Sequence, residues 1–512
     1  MTDRSSSPSE ADPVTANDHQ SASSAGGGPV HSGWALFVLA VSQLMIVLDG
    51  TIVNIALPTA QQDLGFGSDQ RQWVVTAYAL AFGALLLLGG RLTDVLGRRR
   101  LFIIGLVGFA VSSVIGGAAV NFGMLIAGRA AQGAFGALLA PAALSLLASM
   151  FTTPKARAKA FGVFGAVAGG GAAIGLVLGG LLTEYTSWRW TLFINLFFAG
   201  AAVIGALLVV PHSTRPPSRP KIDLPGAVLV SVGLAGIVYG LSSAESNGWS
   251  DPITIGALVG GLAVLVAFAI VESKTAQPLL PFRVVLDRNR GGAYLTTGIV
   301  SLALFSVFLF LTYYLQGLRG YTPLQTGVAF LPLPVSIAIT SIVIAPRSLA
   351  RFGPKPLLAG GPLLAAAALA ILSTISLTSN YWFTVVPALL VLGLGMGHVF
   401  SAAPNVATSN LDAGDLGVGS AMVNTTQQVG GAIGTALLSG IAANTVSSYL
   451  RDHGTDAVAQ QLAQLAGYQN AYLVAAGILV ALSATTVALF RNAPGTPASD
   501  HALEYEQGNE KP

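Results

Sequence analysis

Long apolar runs separated by short polar stretches dominate the chain from about residue 35 to residue 490. A run of about twenty apolar residues is long enough for a helix to cross the hydrocarbon core of a bilayer, which is about 30 Å thick. Fourteen such runs lie at about 35–57, 74–92, 101–119, 124–150, 157–183, 190–210, 224–243, 253–272, 292–316, 325–345, 356–377, 382–401, 420–445 and 470–490. The pattern therefore predicts an all-α membrane protein with fourteen transmembrane helices.

The two ends of the chain lack such runs. Residues 1–33 are rich in Ser, Ala, Gly, Asp and Pro, and residues 492–512 are also polar. Segments of this composition bury too little apolar surface to fold, so both are predicted to be disordered tails. A charged region followed directly by a short apolar run is missing from the first residues, so we expect no signal peptide.

The distribution of Lys and Arg indicates the orientation of the chain. If the N-terminus is cytoplasmic, the segments on that side hold 20 of the 25 Lys and Arg residues, the segments on the other side hold 4, and Arg129 lies within a span. Cytoplasmic loops of membrane proteins carry such an excess. We therefore expect a multi-pass protein of the cell membrane with both termini in the cytoplasm.

An internal repeat divides the predicted helices. The loop after span 2, GGRLTDVLGRRRL, and the loop after span 10, RSLARFGPKPLL, are both short and basic, and each has Leu, then Gly, then cationic residues. Transporters often consist of two such halves. The expected domains are a tail (1–33), an N-terminal six-helix bundle (34–212), two inserted helices with a linker (213–290), a C-terminal six-helix bundle (291–491) and a tail (492–512).

Composition narrows the function. The chain is 53% hydrophobic, 9% charged and free of cysteine, whereas soluble domains are about 25% charged. The net charge of +3 comes from basic residues spread thinly between apolar runs, so nucleic acid is not an expected partner. We find no phosphate-binding loop, metal-ligand cluster or nucleophile arrangement in the sequence, and we expect no enzyme activity, cofactor or metal.

One carboxylate lies deep in an apolar run. Asp49 in LDGTIVNIALP would cost about 3 kcal/mol at the centre of a transmembrane helix, so a functional role is the default interpretation. Burial disfavours the charged form of a carboxyl group, and such a group can load and release protons as a cavity opens to each side. The alternative is a hydrogen-bonded carboxylate that only ties the first helix to a neighbour. Asn54 lies on a different face, where it either serves helix packing or lines another part of the cavity wall.

Other polar residues within spans are candidates for coupling or binding. Arg129 stays charged in any surroundings, so it can influence a nearby carboxylate but cannot easily carry protons. Gln132 lies three residues further, on nearly the same helix face, and is also a candidate for the cavity wall. Asn424, Gln427 and Gln428 form a polar stripe on the thirteenth helix, where they either line a substrate cavity or hydrogen-bond to other helices.

The loop after the second span contains Gly90, Asp94, Gly97, Arg98 and Arg99. In one interpretation it is a tight turn with arginines anchored at the lipid headgroups. In the other, an acid at a helix end pairs with the arginine cluster and locks one conformation, because an ion pair at a wet surface is weak enough to exchange.

These stretches resemble known signatures. GRLTDVLGRR resembles the loop signature of the major facilitator superfamily, and LIAGRAAQGAFGA (125–137) resembles its fourth-helix signature, which contains the intramembrane arginine. LDGTIVNIALP, SWRWTLFIN (187–195) and GSAMVNTTQQVGGAIG (419–434) are similar to segments of the fourteen-helix drug:proton antiporters of the EmrB/QacA type. The resemblance implies a role for Arg129 in proton coupling, the role that burial suggests for Asp49.

The fifth span departs from that family. Its antiporter signature has glycines around a Gly-Pro pair, and here GAAIGLVLGG keeps the glycines but has Leu176 in place of the usual proline. The glycines are Gly171, Gly175, Gly179 and Gly180. Glycines four residues apart permit close helix packing, whereas the missing proline weakens the expectation of a bend. A face that serves packing alone is the alternative.

Together these features predict a monomeric secondary transporter that exports small hydrophobic drugs or antibiotics in exchange for protons. The alternatives are a dedicated transporter of one metabolite and a membrane receptor or scaffold that transports nothing.

Overall fold

Every predicted apolar run forms a helix in the computed structural model, which describes residues 29–67, 70–211, 223–275 and 277–490. The helices are α1 (Pro29–Leu64), α2 (Arg71–Leu96), α3 (Arg98–Gly117), α4 (Phe122–Met150), α5 (Pro154–Tyr185), α6 (Trp190–Val209), α7 (Leu224–Asn247), α8 (Pro252–Glu272), α9 (Arg288–Leu318), α10 (Leu324–Phe352), α11 (Pro354–Leu372), α12 (Tyr381–Ala407), α13 (Leu416–His453) and α14 (Ala457–Leu489). Thirteen are long and apolar enough to span a membrane, and α5 is the fourteenth if its two halves count as one span. The prediction of an all-α, fourteen-helix protein is confirmed.

Local chemistry fixes where the helices begin and turn. In a bilayer every backbone polar group must be satisfied within the protein, and an apolar helix does this. Asn121, Asp223, Asp251 and Asp456 each accept a hydrogen bond from a backbone N–H at the start of the helix that follows. Gly97 and Gly353 join α2 to α3 and α10 to α11 with φ of 95° and 74°, a conformation that glycine adopts without a Cβ clash.

The packing of the helices repeats after eight elements. In the first half α1 packs on α5 and α6, α2 packs on α4, and α3 packs on α4 and α6. In the second half α9 packs on α13 and α14, α10 packs on α12, and α11 packs on α12 and α14. The same pairings occur with each helix number raised by eight, as expected for two related six-helix bundles. The residue boundaries given above for the domains remain a prediction.

Two sets of contacts join the halves. On one side α2 packs against α13, and on the other α5 packs against α10 and α12. The inserted helix α7 contacts α2, α13 and α8, so it bridges the halves on the α2–α13 side. Helix α8 leaves apolar side chains such as Val259, Leu262 and Val266 exposed, which fits a lipid-facing position.

Candidate functional site

Asp49 lies on α1 and is completely buried, with 0% of its surface exposed. Its carboxylate oxygen Oδ2 lies 2.6 Å from Nη1 of Arg129 on α4, and the Arg129 side chain is 1% exposed. Coulomb attraction is strong at this depth because little water screens it. The two ionisable residues that the sequence singled out within spans thus form a direct ion pair.

Arg129 has further partners on α2. Its Nε donates a hydrogen bond to the carbonyl oxygen of Val74 at 3.2 Å, and its guanidinium carbon lies 4.4 Å from the centre of the Tyr78 ring. A cation above an aromatic face is attracted to the ring electrons. The arginine therefore connects three helices, α1, α2 and α4.

Two amides and a hydroxyl complete the surroundings of Asp49. Gln132 Nε2 and Asn195 Nδ2 donate to Asp49 Oδ1 at 2.9 Å and 2.7 Å. Gln132 also donates to Ser113 Oγ at 2.6 Å, and its carbonyl oxygen accepts from Arg129 at 3.0 Å. We call these five residues, Asp49, Arg129, Gln132, Asn195 and Ser113, the Asp49 network. It joins α1, α3, α4 and α6 by side-chain contacts.

Sequence reasoning identified three of the five members. Asn195 lies in SWRWTLFIN, which was noted only for its family resemblance. As a polar residue inside the apolar run of α6 it carried the same signal that singled out Asp49. Ser113 carried no signal, because serine is common in transmembrane helices. Gln132 was placed on the cavity wall, but it is 0% exposed and belongs to the Asp49 network.

The other predicted cavity residues with described side chains all lie on α13. The Asn424 amide donates to the carbonyl of Ser420 in its own helix at 3.0 Å. Gln428 packs beside Gly83 of α2, and Gln427 is half-buried on the same helix. The side chain of Asn54 lies outside the described part of the structure.

An open apolar groove of about 320 Å³ runs between α9 and α13. Leu295, Ile299 and Leu302 line one wall, and Val429 and Ile433 line the other. A groove with this lining can accept an apolar molecule or an acyl chain.

Gly90 and Asp94, which the sequence analysis placed in the loop after the second span, lie in the last turns of α2. This end of α2 contacts the start of α13. The Asp94 carboxylate accepts hydrogen bonds from the backbone N–H groups of Gly417 at 2.8 Å and Val418 at 3.2 Å. These N–H groups lie in the first turn of α13, where they have no partner within the helix and where the helix dipole favours an anion. Asp94 is thus bound by the start of α13, and the positive charges of Arg91 and Arg98 act on it as well. The lock interpretation stays a prediction.

Gly90 allows this close approach. A Cβ at Gly90 would lie 2.6 Å from the carbonyl oxygen of Gly417, so the two helix backbones meet directly. We call Gly90, Asp94, Gly417 and Val418 the α2–α13 contact.

Arginines make further cross-links at the same end. Arg98 donates to the carbonyl of Ala413, just before α13, and Arg99 donates to that of Leu207 on α6 at 2.9 Å. Arg157 at the start of α5 donates to Asn405 Oδ1 at 2.7 Å and to Thr408 Oγ1 at 2.7 Å. At the predicted cytoplasmic end, the two halves are therefore closed against each other.

Three of the four glycines of the predicted antiporter signature face α1. A Cβ at Gly171 would lie 2.9 Å from the Val47 side chain, and one at Gly179 would lie 2.9 Å from the Ile52 carbonyl oxygen. A Cβ at Gly175 would collide with Thr51. Gly180 faces away, 3.9 Å from Leu324 of α10 on the same measure. The helix is bent by 44° between Pro154–Ala172 and Ile174–Tyr185, although Leu176 stands where the family has proline.

The fold and the Asp49 network define a class of protein: a multi-pass helical transporter with an ion pair buried inside its first bundle. Residues 39–435 match the family model described as "Major Facilitator Superfamily". The chain belongs to this superfamily, and it is not an enzyme.

Relatives of this chain are antibiotic resistance and export proteins. The "Puromycin resistance protein pur8" of Streptomyces alboniger is 49% identical over 449 residues, covering 87% of this chain and 89% of the relative. The "Cephamycin export protein CmcT" of Amycolatopsis lactamdurans is 34% identical, with 90% and 93% covered. The "Tetracenomycin C resistance and export protein" of Streptomyces glaucescens is 33% identical, with 82% and 78% covered.

A solved structure shares the fold. The human organic anion transporter MFSD10 (TETRAN) matches with a TM-score of 0.63, covering 90% of this chain and 100% of that protein. The sequence identity is 16%, so the similarity concerns the fold alone.

Proposed function

We propose that this protein exports hydrophobic antibiotics from the cytoplasm in exchange for protons, as a monomer in the cell membrane with both termini inside. The observation that carries the proposal is Asp49, a carboxylate at 0% exposure held by Arg129 inside a transmembrane bundle. Burying an ion pair is costly and contributes little net stability. A functional use for its charge explains why the chain contains it.

Asp49 is the group that carries the proton. When it is ionised, Arg129 neutralises it and the two amide N–H groups satisfy Oδ1. When it is protonated, the attraction to Arg129 is lost, and the guanidinium must rely on Val74, Tyr78 and Gln132. Each proton cycle therefore makes and breaks a link between α1 and α4, the type of two-state element that alternating access requires.

The α2–α13 contact provides the second part of the mechanism. It holds the predicted cytoplasmic end closed through one carboxylate at a helix N-terminus, an interaction of about 0.3 to 2 kcal/mol. An interaction of this size can be broken and re-formed in each cycle. The two six-helix bundles would rock against each other about the central site. The inserted helices would move with both bundles, because α7 contacts α2 in one bundle and α13 in the other.

The relatives guide the choice of substrate. The names of three of them include three different compounds, puromycin, cephamycin and tetracenomycin C. Each name contains a single compound, so a dedicated exporter of one antibiotic is the second candidate. Puromycin is the first compound to test, because the relative named for it is 49% identical to this chain over 449 aligned residues.

Transport by the purified protein in liposomes decides between these functions. We expect uptake of radiolabelled puromycin into liposomes in which the cytoplasmic side of the protein faces outward. This uptake should depend on an imposed proton gradient and should be abolished when a protonophore collapses that gradient. Competition by chemically unrelated antibiotics would support the multidrug function, and competition by puromycin analogues alone would support the dedicated exporter. Puromycin uptake that is unchanged by the protonophore would rule out antiport.

A further inference from the structure

Two acidic side chains meet at the base of the inserted helices, far along the chain from Asp49. Glu272 ends α8 and is 2% exposed, and Asp223 precedes α7. One oxygen of each carboxyl group has a clear structural role: Asp223 Oδ1 accepts from the N–H of Gly226 at 3.0 Å, and Glu272 Oε1 accepts from the N–H of Leu280.

The other two oxygens face each other. Asp223 Oδ2 and Glu272 Oε2 are both buried without a hydrogen-bond partner. They converge beside Gly226, where a Cβ would lie 2.5 Å from Asp223 Oδ2 and 3.0 Å from Glu272 Oε2. Two ionised carboxylates in such a position repel each other, and neither oxygen can donate a hydrogen bond to the other.

The charged groups on the neighbouring elements are exposed or interact with residues other than Asp223 and Glu272. Lys274, just beyond α8, is exposed. Arg283 on the linker forms ion pairs with Asp412 and Asp415 before α13, at 3.3 Å and 2.7 Å. On α2, Arg91 lies near Asp94. The residues directly before Asp223 lie outside the described part of the chain.

We propose that Asp223 and Glu272 share one proton and form a second proton-binding site at the base of the inserted helices. One proton between Oδ2 and Oε2 removes the repulsion and gives both orphaned oxygens a hydrogen-bond partner. The pair then titrates as a unit, with one proton retained where separate carboxyl groups would have lost both.

The site is connected to the α2–α13 contact. Glu272 holds the backbone of Leu280, and the buried side chains of Leu279 and Leu280 pack in one cluster with Leu87 of α2 and Val418 of α13. Val418 is also a residue whose N–H binds Asp94. Loss of the shared proton would push α7 and α8 apart and loosen the packing behind this contact.

Infrared spectroscopy of the full chain in lipid nanodiscs tests the proposal. At pH 7 in choline buffer we expect the carbonyl band of a protonated carboxyl group, with the usual shift in heavy water. Glu272→Gln and Asp223→Asn should each abolish it, because each amide takes the place of the protonated acid and removes the shared proton. Asp251→Asn is the matched control, because Asp251 also caps an inserted helix but its partner is Thr254.

The outcomes separate the alternatives. A band that persists unchanged in both Glu272→Gln and Asp223→Asn would refute the shared proton. A band that disappears from the wild type when Na⁺ replaces choline would show that the site binds an alkali cation and would also overturn the proposal. Asp49→Asn should leave the band in place, so failure here is distinguishable from failure of the antiport function.

Thermal stability gives an independent readout. A proton held by the folded pair and released on unfolding stabilises the protein at low pH, and this stabilisation is lost as the pH rises. Glu272→Gln should therefore reduce the fall in Tm between mildly acidic and alkaline pH. A fall as steep as that of the wild type would contradict the shared proton.

Discussion

At the scale of single residues, the surroundings of Asp49 combine charge neutralisation with many hydrogen bonds. Arg129 supplies the charge, and Gln132 and Asn195 supply N–H donors from α4 and α6. These contacts connect α1 to α4 and α6, so a movement of one of these helices changes the surroundings of the carboxylate.

Replacement of Asp49 tests the coupling role. Asp49→Asn keeps the size of the side chain and removes the site of protonation, so we expect loss of proton-linked efflux, measured per molecule of protein in the membrane. Asp63→Asn is the control, since Asp63 lies on the same helix but is half exposed and pairs with Arg189. Efflux at the wild-type rate in Asp49→Asn would show that the carboxylate serves only in packing.

The ion pair should also show an asymmetric effect on stability. Removing one partner of a buried pair costs about 3 to 5 kcal/mol. Arg129 cannot give up its charge, whereas Asp49 can take up a proton. We therefore expect Asp49→Asn to lower Tm more than Arg129→Gln does at acidic pH, and the double variant to regain part of the loss.

Thermal unfolding of the three variants in detergent measures this coupling. Purely additive effects of the two substitutions would show that Asp49 and Arg129 do not interact.

The sequence reveals charged residues in spans more readily than their partners. Asp49 and Arg129 stand out because a charge in an apolar run is rare and costly. Their contact spans 80 positions in the chain, and no local pattern reports such a distance. Asn195 could have been identified by the same criterion, whereas Ser113 could not.

At the scale of helices, close approach depends on where glycine stands. On α5, the faces of Gly171 and Gly179 lie against α1, whereas Gly180 faces α10 across ordinary contact distance. The spacing of the four glycines in the sequence had not distinguished Gly180 from the other three. Because each residue turns about 100° around the helix axis, Gly180 lies on another face than its neighbour Gly179.

This neighbouring pair of glycines provides a matched test. Gly179→Ala would place a methyl group 2.9 Å from the Ile52 carbonyl oxygen, and overpacking of this kind costs about 1 to 3 kcal/mol. Gly180→Ala meets only Leu324 at 3.9 Å, so we expect little change. Thermal unfolding and efflux of both variants check this prediction, and equal effects would show that the α1–α5 packing does not limit either property.

The helices themselves followed well from the sequence, because the apolar runs are long and the bilayer requires helices. The bend of α5 did not. Its usual cause, a proline, is absent at Leu176. The bend of 44° lies just after three consecutive glycines, Gly169 to Gly171, where helices also kink.

At the scale of the whole molecule, the arrangement that matters is the relation between the two halves. The eight-helix shift in packing and the basic loops both follow from the sequence repeat. The sequence did not reveal that Asp94 binds the start of α13. The first turn of that helix attracts an anion through backbone N–H groups, which are the same in every sequence.

The α2–α13 contact should control the relative populations of the states that are open and closed at this end of the protein. Asp94→Asn removes the charge at the start of α13 and loses about 0.3 to 2 kcal/mol, which corresponds to a shift of about 2- to 30-fold toward opening at that end. Spin labels at Arg100→Cys and Gly414→Cys, both exposed positions at this end, report the separation, and no native cysteine interferes.

We expect pulsed electron paramagnetic resonance to show a larger fraction of long distances in Asp94→Asn than in the wild-type background. Glu184→Gln is the control, since it removes the same charge from an exposed position on α5, at the end opposite Pro154. An unchanged distance distribution in Asp94→Asn would assign the closure of this end to Arg98, Arg157 and the apolar packing around Leu279. A shift in both variants would point to a general effect of charge and not to the helix terminus.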